Sequence, residues 1–304
     1  MENKLRIKLE DSVSRNRAEG MLFSGGLDTS ILAALCPEVR AINVSLEDFS
    51  TDLEYARAVE EALGLKVHYL SVTTEEALAA LPEIIKILKS FDPAVPNDVT
   101  VYFGLKYAKK LGLNSMMTGD GSDELLGGYD FMRNRGDLED YIRYLSRKMF
   151  FSSNLLGDFF QLAIKQPYID KEFADFAVNE VPVKSKICEH NGRVWGKCVL
   201  RKAFEGVLAD EIIWQSKRPL EFGSGTTRLR EIISGKISDK EYAGKQKKYP
   251  VKFINKEHLY FYEIYMDVVG RIPLPQPGQE ACPGCGAGMK KAACHCRVCG
   301  WVKI

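Results

Sequence analysis

Eight consecutive residues, Phe23-Ser24-Gly25-Gly26-Leu27-Asp28-Thr29-Ser30, carry the types needed to hold a phosphate. Two adjacent glycines let the backbone turn sharply and approach a ligand closely. The apolar run that follows, Ile31-Leu32-Ala33-Ala34-Leu35, reads as a helix, so free N–H groups and the positive end of its dipole face the turn. Ser24, Thr29 and Ser30 add hydroxyl donors, and Asp28 adds a carboxylate suited to a hard cation such as Mg²⁺. No lysine follows the glycines, so this is not the Walker-type loop. A serine-capped strand-to-helix turn is the plainer alternative, and the joint presence of Ser24, Asp28, Thr29 and Ser30 argues against it.

Two further stretches have chemical spacing. Thr118-Gly119-Asp120-Gly121-Ser122-Asp123-Glu124-Leu125-Leu126-Gly127-Gly128-Tyr129 places three carboxylates among four glycines, a composition that can hold Mg²⁺ or orient an amine. It lacks the EF-hand spacing, which argues against calcium. In the tail, Cys282-Pro-Gly-Cys285 and Cys296-Arg-Val-Cys299 are paired knuckles whose thiolates suit tetrahedral Zn²⁺. Cys294 and His295 are spare donors beside the second knuckle, and an iron–sulfur cluster is the competing occupant. The rim around it, Lys290, Lys291, Arg297, Trp301 and Lys303, suits RNA or protein docking; a small cap stabilised by its metal is the blander reading.

These stretches need elements to position them. Leu5, Leu9 and Val13 lie at helical spacing in a lead-in segment, and Met21-Leu22-Phe23 reads as a buried strand ahead of the glycine turn. Ala41–Ser45 and Val67–Leu70 read as further strands. Thr51-x-x-Glu54 and Thr73-x-x-Glu76 are capping boxes, and Gly64 is placed to stop the first of those helices. The prolines of residues 91–98 predict a loop, followed by a helix from about Val99 to Lys110 and a short strand, Ser115–Thr118. Strands alternating with helices predict a parallel sheet with helices on both faces, and in such sheets ligands bind beyond the carboxyl ends of the strands. Helices are expected within 137–160, 194–213 and 258–269. The Lys-rich residues 233–256 read as a mobile or partner-facing segment, and Arg271–Gly278 as a stiff proline-rich linker.

Composition fits an ordinary soluble chain of 304 residues, with 45% hydrophobic and 27% charged residues and no run long enough for a membrane span. No signal-peptide core is visible, so a cytoplasmic location is expected. From Lys236 to Ile304 there are 12 basic against 6 acidic residues, within totals of 42 and 41, so the C-terminal part is positive and the rest slightly negative. Of eight cysteines, Cys36, Cys188 and Cys198 are scattered and five crowd the tail, which argues for metal there rather than disulfides.

The two glycine stretches together closely resemble the synthetase domain of asparagine synthetases and β-lactam synthetases, within the N-type ATP pyrophosphatases. Gln166-Pro167-Tyr168-Ile169-Asp170-Lys171 looks like that family's Arg-Val-Pro-Phe-Leu-Asp segment, and Lys197 to Glu221 is similar to its late helix and lysine motif. The resemblance covers roughly residues 18–235. It implies an adenine nucleotide alpha-hydrolase-like (PP-loop) fold and ATP-dependent activation of a carboxylate as an acyl-adenylate, with pyrophosphate released and an amine then displacing AMP. It also implies that Ser24, Gly25, Gly26, Asp28, Thr29 and Ser30 hold the pyrophosphate, with Asp28 and Asp123 as Mg²⁺ ligands. Thr118 and Gly119 match positions near the ribose and α-phosphate, and Asn43, Val44 and Ser45 flank the adenine. Lys217 is implied to neutralise the α-phosphate, and Asp120 and Asp170 match positions that handle the amine step.

The departures bear on the acceptor. The family has Glu at the position of Asp120, and its Glu-Ala-Arg reads Ala163-Ile164-Lys165 here. Lys does not replace the bidentate grip of Arg on a carboxylate, so the acceptor need not be aspartate. The chain starts Met1-Glu2 and its first cysteine is Cys36, so no terminal-cysteine glutaminase is expected. Ammonia, another amine or a partner glutaminase subunit would supply nitrogen. The expected organisation is an ATP pyrophosphatase domain over 1–235, a basic segment, helix and linker over 236–278, and a zinc ribbon over 279–304, in a homo-oligomer that uses ATP, Mg²⁺ and Zn²⁺. The rival is a tRNA-modifying enzyme of the same fold, its ribbon gripping RNA.

Overall fold

The computed structural model describes residues 1–49, 53–216, 220–291 and 293–303; of Asp48, Leu220 and Glu221 only the backbone is described. In chain order the first half runs α1 (Glu2–Arg15), β1 (Gly20–Leu22), α2 (Leu27–Leu35), β2 (Arg40–Leu46), α3 (Leu53–Leu63), β3 (Lys66–Val72), α4 (Thr74–Leu88), α5 (Val95–Lys110), β4 (Ser115–Met117) and α6 (Ser122–Leu126). Then come α7 (Leu138–Ser146), α8 (Ser152–Phe160), β5 (Ala163–Lys165), α9 (Lys171–Asn179), α10 (Val183–Lys186), β6 (Cys188–His190), β7 (Arg193–Trp195), α11 (Cys198–Ala203) and α12 (Asp210–Ile213). The chain closes with α13 (Leu220–Gly223), α14 (Arg228–Gly235), α15 (Asp239–Lys248), α16 (Lys256–Val268), β8 (Gln279–Ala281) and β9 (Gly288–Lys290).

Strands β1 to β5 form one parallel sheet in the order β3-β2-β1-β4-β5. Alternate residues along each strand feed two separate cores. Ile42, Leu46, Val72 and Met116 face the side covered by α4, α5, α8 and α16, whereas Met21, Ala41 and Met117 face α1, α2 and α9. The order changes direction on either side of β1. That opens a crevice at its carboxyl end, where the glycine turn and the start of α6 emerge.

Local chemistry accounts for most boundaries. Leu5, Leu9 and Val13 are buried as their spacing predicts. The Thr73/Glu76 capping box forms with both reciprocal hydrogen bonds, and Gly64 ends α3 at φ 62°. The box expected at Thr51 lies outside the described residues, which resume at Leu53. Helix α5 starts at Val95, earlier than its prolines suggested, because Pro96 sits in the first turn where no N–H is needed.

Two expectations are corrected. The stretch 194–213 is not one helix: a β-hairpin, β6–β7, precedes two short helices, because Gly196 and a left-handed Lys197 (φ 56°) break the run and Gly206 (φ 77°) breaks it again. Residues 233–256 are mostly helical rather than mobile, and α15, with no buried residue, leaves the partner-facing alternative open. Ser238 caps α15 by accepting from the Glu241 amide, and Lys245 pairs with Glu241 and Glu263, so caps and ion pairs do what an apolar stripe would otherwise do. Cys188 and Cys198, 10 residues apart in sequence, form a disulfide with a Cα–Cα distance of 5.8 Å.

The C-terminal knuckles are built into the main core rather than hung from it. Cys282, Cys285, Cys296 and Cys299 share one buried cluster with Phe91, Leu259, Phe261, Tyr262 and Tyr265. The Phe91 amide donates to the Val298 carbonyl at 2.7 Å, and His295 bonds Asp92 at 2.9 Å.

Candidate active site

The turn after β1 braces itself. The Ser24 amide donates to the Thr29 hydroxyl at 3.3 Å, the Gly26 amide donates to the Ser24 hydroxyl at 3.2 Å, and the Thr29 hydroxyl donates to the Gly26 carbonyl at 3.3 Å. Gly25 has φ 76°, and a Cβ there would lie 2.6 Å from the Ala56 nitrogen, so glycine is required on two counts. Gly26 occupies the N-cap of α2 without a side chain of its own, which leaves the helix start accessible to an anion.

Across the crevice, the start of α6 brings Asp123 opposite Asp28, with the Lys197 ammonium between them. The Lys197 ammonium lies 2.6 and 2.8 Å from the two oxygens of Asp28 and 2.7 Å from Asp123 Oδ1. The Ser122 hydroxyl adds a 2.7 Å bond to Asp28, and the Tyr168 hydroxyl donates to the Asp28 carbonyl at 3.0 Å. Two carboxylates aimed at a single point are a donor set that fits a hard divalent cation. Arg201 lines the same cleft, but its guanidinium is spent on the carbonyls of Gly196, Ile213 and Gln215. Burial pushes its pKa down to about 10, against the pull of Asp28 and Asp123.

The cleft has a volume of about 230 Å³. At one end Ile42, Asn43 and Val44 form an apolar shelf. The Asn43 amide donates to the Phe23 carbonyl at 2.9 Å, while its buried Oδ1 has no partner among the described residues. At the other end Asp120 is gripped by three donors: the Thr118 hydroxyl at 2.6 Å, the Ser153 hydroxyl at 2.7 Å and the Gln166 amide at 2.8 Å. Nearby, desolvation pushes the Asp98 carboxyl up to about 7; a bond from Ser152 opposes this, and Asp92 and Asp120 add to it. Burial likewise raises the Glu124 carboxyl, which accepts from the Tyr129 hydroxyl at 2.6 Å.

The predicted residues divide by position. Ser24, Gly26, Asp28, Thr29, Asn43, Val44, Thr118, Gly119, Asp120 and Asp123 all line this cleft. Gly25 contributes its carbonyl as acceptor for Gln215, while the side chains of Ser30 and Ser45 are buried away from the opening. Asp170 lies outside the cleft. It caps α9 through the Glu172 amide and pairs with Arg15 at 2.5 Å, and against the cost of burial that pairing holds its carboxyl below the usual range. Lys217 lies outside the described residues. Lys197, Ser153, Gln166 and Gln215 were missed as site residues. Lys197 follows a hairpin with no periodicity to mark it, and the one signal for it was that the late-motif resemblance begins there.

At the knuckles, the four thiols of Cys282, Cys285, Cys296 and Cys299 lie within 4.8 Å of one another, all buried. The Cys282–Cys299 and Cys285–Cys296 sulfur separations are 3.6 and 3.9 Å. A tetrahedron with zinc–sulfur bonds of about 2.3 Å has edges of about 3.8 Å, so this set fits zinc. The Gly284 amide donates to Cys282 Sγ at 3.3 Å. Cys294 stands outside the quartet, its amide donating to the Tyr144 hydroxyl.

Comparison with known proteins adds to this geometry. The asparagine synthase family model matches residues 4–166 and 159–260. A probable asparagine synthetase (glutamine-hydrolyzing) of Dictyostelium discoideum is 26% identical over 298 residues, covering 86% of this chain and 52% of that protein. Asparagine synthetase B (glutamine-hydrolyzing) of Escherichia coli is 27% identical over 316 residues, covering 93% of this chain and 56% of that protein. The chain thus spans about half the length of the curated relatives it matches. A solved NH3-dependent NAD synthetase from Campylobacter jejuni superimposes with a TM-score of 0.36 at 13% identity, over 90% of this chain and 96% of that one.

Proposed function

This chain belongs to the asparagine synthase family, and from that we propose that it is an ATP-dependent, AMP-forming amide ligase acting on a small carboxylate. An acceptor carboxylate oxygen attacks the α-phosphorus, the bond to the bridging oxygen breaks, and pyrophosphate leaves with the electron pair. An amine lone pair then attacks the acyl carbon, the acyl–oxygen bond breaks, and AMP departs while the nitrogen sheds a proton. The observation that carries this reading is the convergence of Asp28 and Asp123 on the Lys197 ammonium beside a self-braced glycine turn.

In this reading the amides from Ser24 to Ser30, with the hydroxyls of Ser24 and Thr29, hold the pyrophosphate, and the charge that develops as it leaves meets preorganised donors. Asp28 and Asp123 would hold Mg²⁺, which supplies charge neutralisation at the phosphates. Asn43 Oδ1, a buried acceptor in need of a donor, suits the exocyclic amine of adenine. Thr118 and Gly119 lie toward the ribose and α-phosphate. Lys217 remains the proposed cation for the α-phosphate. Asp120, held rigid by three donors, would receive the incoming ammonia. Ammonia arrives free or from a partner glutaminase. No helix among the described residues is long and apolar enough to cross a membrane. The cysteine quartet would hold structural Zn²⁺.

The test is a pyrophosphate-release screen with aspartate and other small acids plus ammonia, in which Asp28→Ala and Lys217→Ala lose the signal. Release of orthophosphate and ADP instead would overturn the reading.

A second reading, a tRNA-modifying enzyme that works through adenylation, is favoured by one surface. Arg297 of the knuckle lies 4.3 Å from the Phe150 ring, and Cys294 bonds Tyr144. Tyr144, which the knuckle thus touches, shares a surface concavity with Asp140, Arg143, Arg147 and Lys148. Cations interleaved with aromatic rings suit single-stranded RNA. Pyrophosphate release stimulated by bulk tRNA and by no small acid would decide for it.

A further inference from the structure

We propose that Lys197 is the resident counter-cation of the Asp28–Asp123 site, and that it keeps a divalent ion out until a nucleotide brings one. The inference rests on the reading of this site as a Mg·ATP site and adds an order of arrival to it.

Lys197 is held in place from several directions. Its side chain is 3% exposed and its ammonium touches both carboxylates. Its backbone takes the left-handed conformation, which a non-glycine residue adopts at a cost and keeps only when its surroundings fix it. Here the Lys197 amide donates to the Leu126 carbonyl at 3.1 Å, and the Arg201 amide donates to the Lys197 carbonyl at 2.9 Å. The next residue, Cys198, is tied to Cys188. The path of the side chain is cleared by glycine, since a Cβ on Gly128 would sit 2.3 Å from Lys197 Cε. These constraints aim one ammonium at the point where the two carboxylates would share a metal.

Charge balance then sets the order of binding. Among the described residues, these two carboxylates and this ammonium sum to one negative charge for an arriving divalent ion, and that ion would sit against the ammonium, with Arg201 close by. In a partly desolvated site this repulsion is strong. A triphosphate adds several negative charges at once, enough for the ammonium and the divalent ion to coexist. The free site therefore rejects the metal that the nucleotide-loaded site accepts.

Mn²⁺ titration followed by electron paramagnetic resonance, on the full chain with and without ATP, tests this without turnover. The wild type should bind Mn²⁺ weakly alone and at least about tenfold more tightly with ATP. The Lys197→Met and Lys197→Gln variants should bind Mn²⁺ without ATP at least about tenfold more tightly than the wild type, and Lys197→Arg should behave like the wild type. Neutral variants that bind free Mn²⁺ no better than the wild type, while ATP still promotes Mn²⁺ binding in the wild type, overturn the inference and leave the ligase reading standing. If neither neutral variant folds, the wild type still decides: micromolar Mn²⁺ affinity without nucleotide overturns the inference. No ATP effect on Mn²⁺ binding in any folded form sinks the Mg·ATP reading itself.

Discussion

Gly128 and Asp123 are so close that a Cβ on the glycine would fall 1.8 Å from Asp123 Oδ1. The second glycine of the Gly-Gly-Tyr sequence is thus a clearance for the carboxylate that faces Asp28. Gly128→Ala should displace Asp123 and lower ATP-dependent pyrophosphate release by about a hundredfold, as small misplacements at a reacting centre do. Circular dichroism and steady-state kinetics together check this; an alanine variant with full activity would refute it.

Gly25 makes a parallel case on the phosphate side. Its φ of 76° and the 2.6 Å approach to Ala56 mean that alanine must move either the turn or α3. Gly25→Ala should weaken nucleotide binding on the order of tenfold or more, measured by calorimetry, while Gly64→Ala, whose Cβ meets nothing within 4 Å, should leave binding unchanged.

Asp120 offers a separation of the two half-reactions. Its carboxylate accepts from Thr118, Ser153 and Gln166, so Asn in its place keeps the shape and loses the charge. Asp120→Asn should retain acceptor-dependent pyrophosphate exchange while amide formation falls about a hundredfold, an effect of general-base size. Equal loss in both assays would place Asp120 in adenylation instead.

The cysteine quartet shares a core with α16 and Phe91. Zinc analysis should find one ion per chain, and Cys299→Ser or chelation should lower the melting temperature of the whole chain in one cooperative transition. A separate low-temperature transition would show that the knuckles fold on their own.

Lys186 supplies a pH signature. It is 1% exposed with its ammonium donating to the Ala177 carbonyl at 2.7 Å, and burial pushes its pKa down to about 8 from an ordinary 10.5. Between those values the unfolded chain binds the proton and the folded one does not. Stability should therefore rise with pH across that window, by up to about 3 kcal/mol. Below pH 8 both states are protonated and this contribution to the slope vanishes. Denaturant titrations of the wild type and Lys186→Met should differ in slope only between about pH 8 and 10.5.

Much of this protein was legible in one dimension. The glycine turn, its helix, the capping box at Thr73 and the paired knuckles are short-range patterns, in which a few neighbouring residues carry both the backbone preference and the chemistry. The alternation of strands and helices was enough to set the parallel sheet, because a strand buried on both faces has little choice of partner layer. Other features depended on long-range packing. Lys197 meets Asp28 across 169 positions of sequence and has no periodicity to announce it. Asp170, which matched a catalytic position in sequence, turned out in three dimensions to cap a helix and pair with Arg15. The knuckles, which in sequence trail a proline-rich linker, were placed in the main core by contacts with Phe91 and α16. Sequence determines which groups a chain owns and the local turns they prefer. Which of two equally plausible carboxylates faces a cleft is settled only when helices from distant parts of the chain pack and leave one of them an opening.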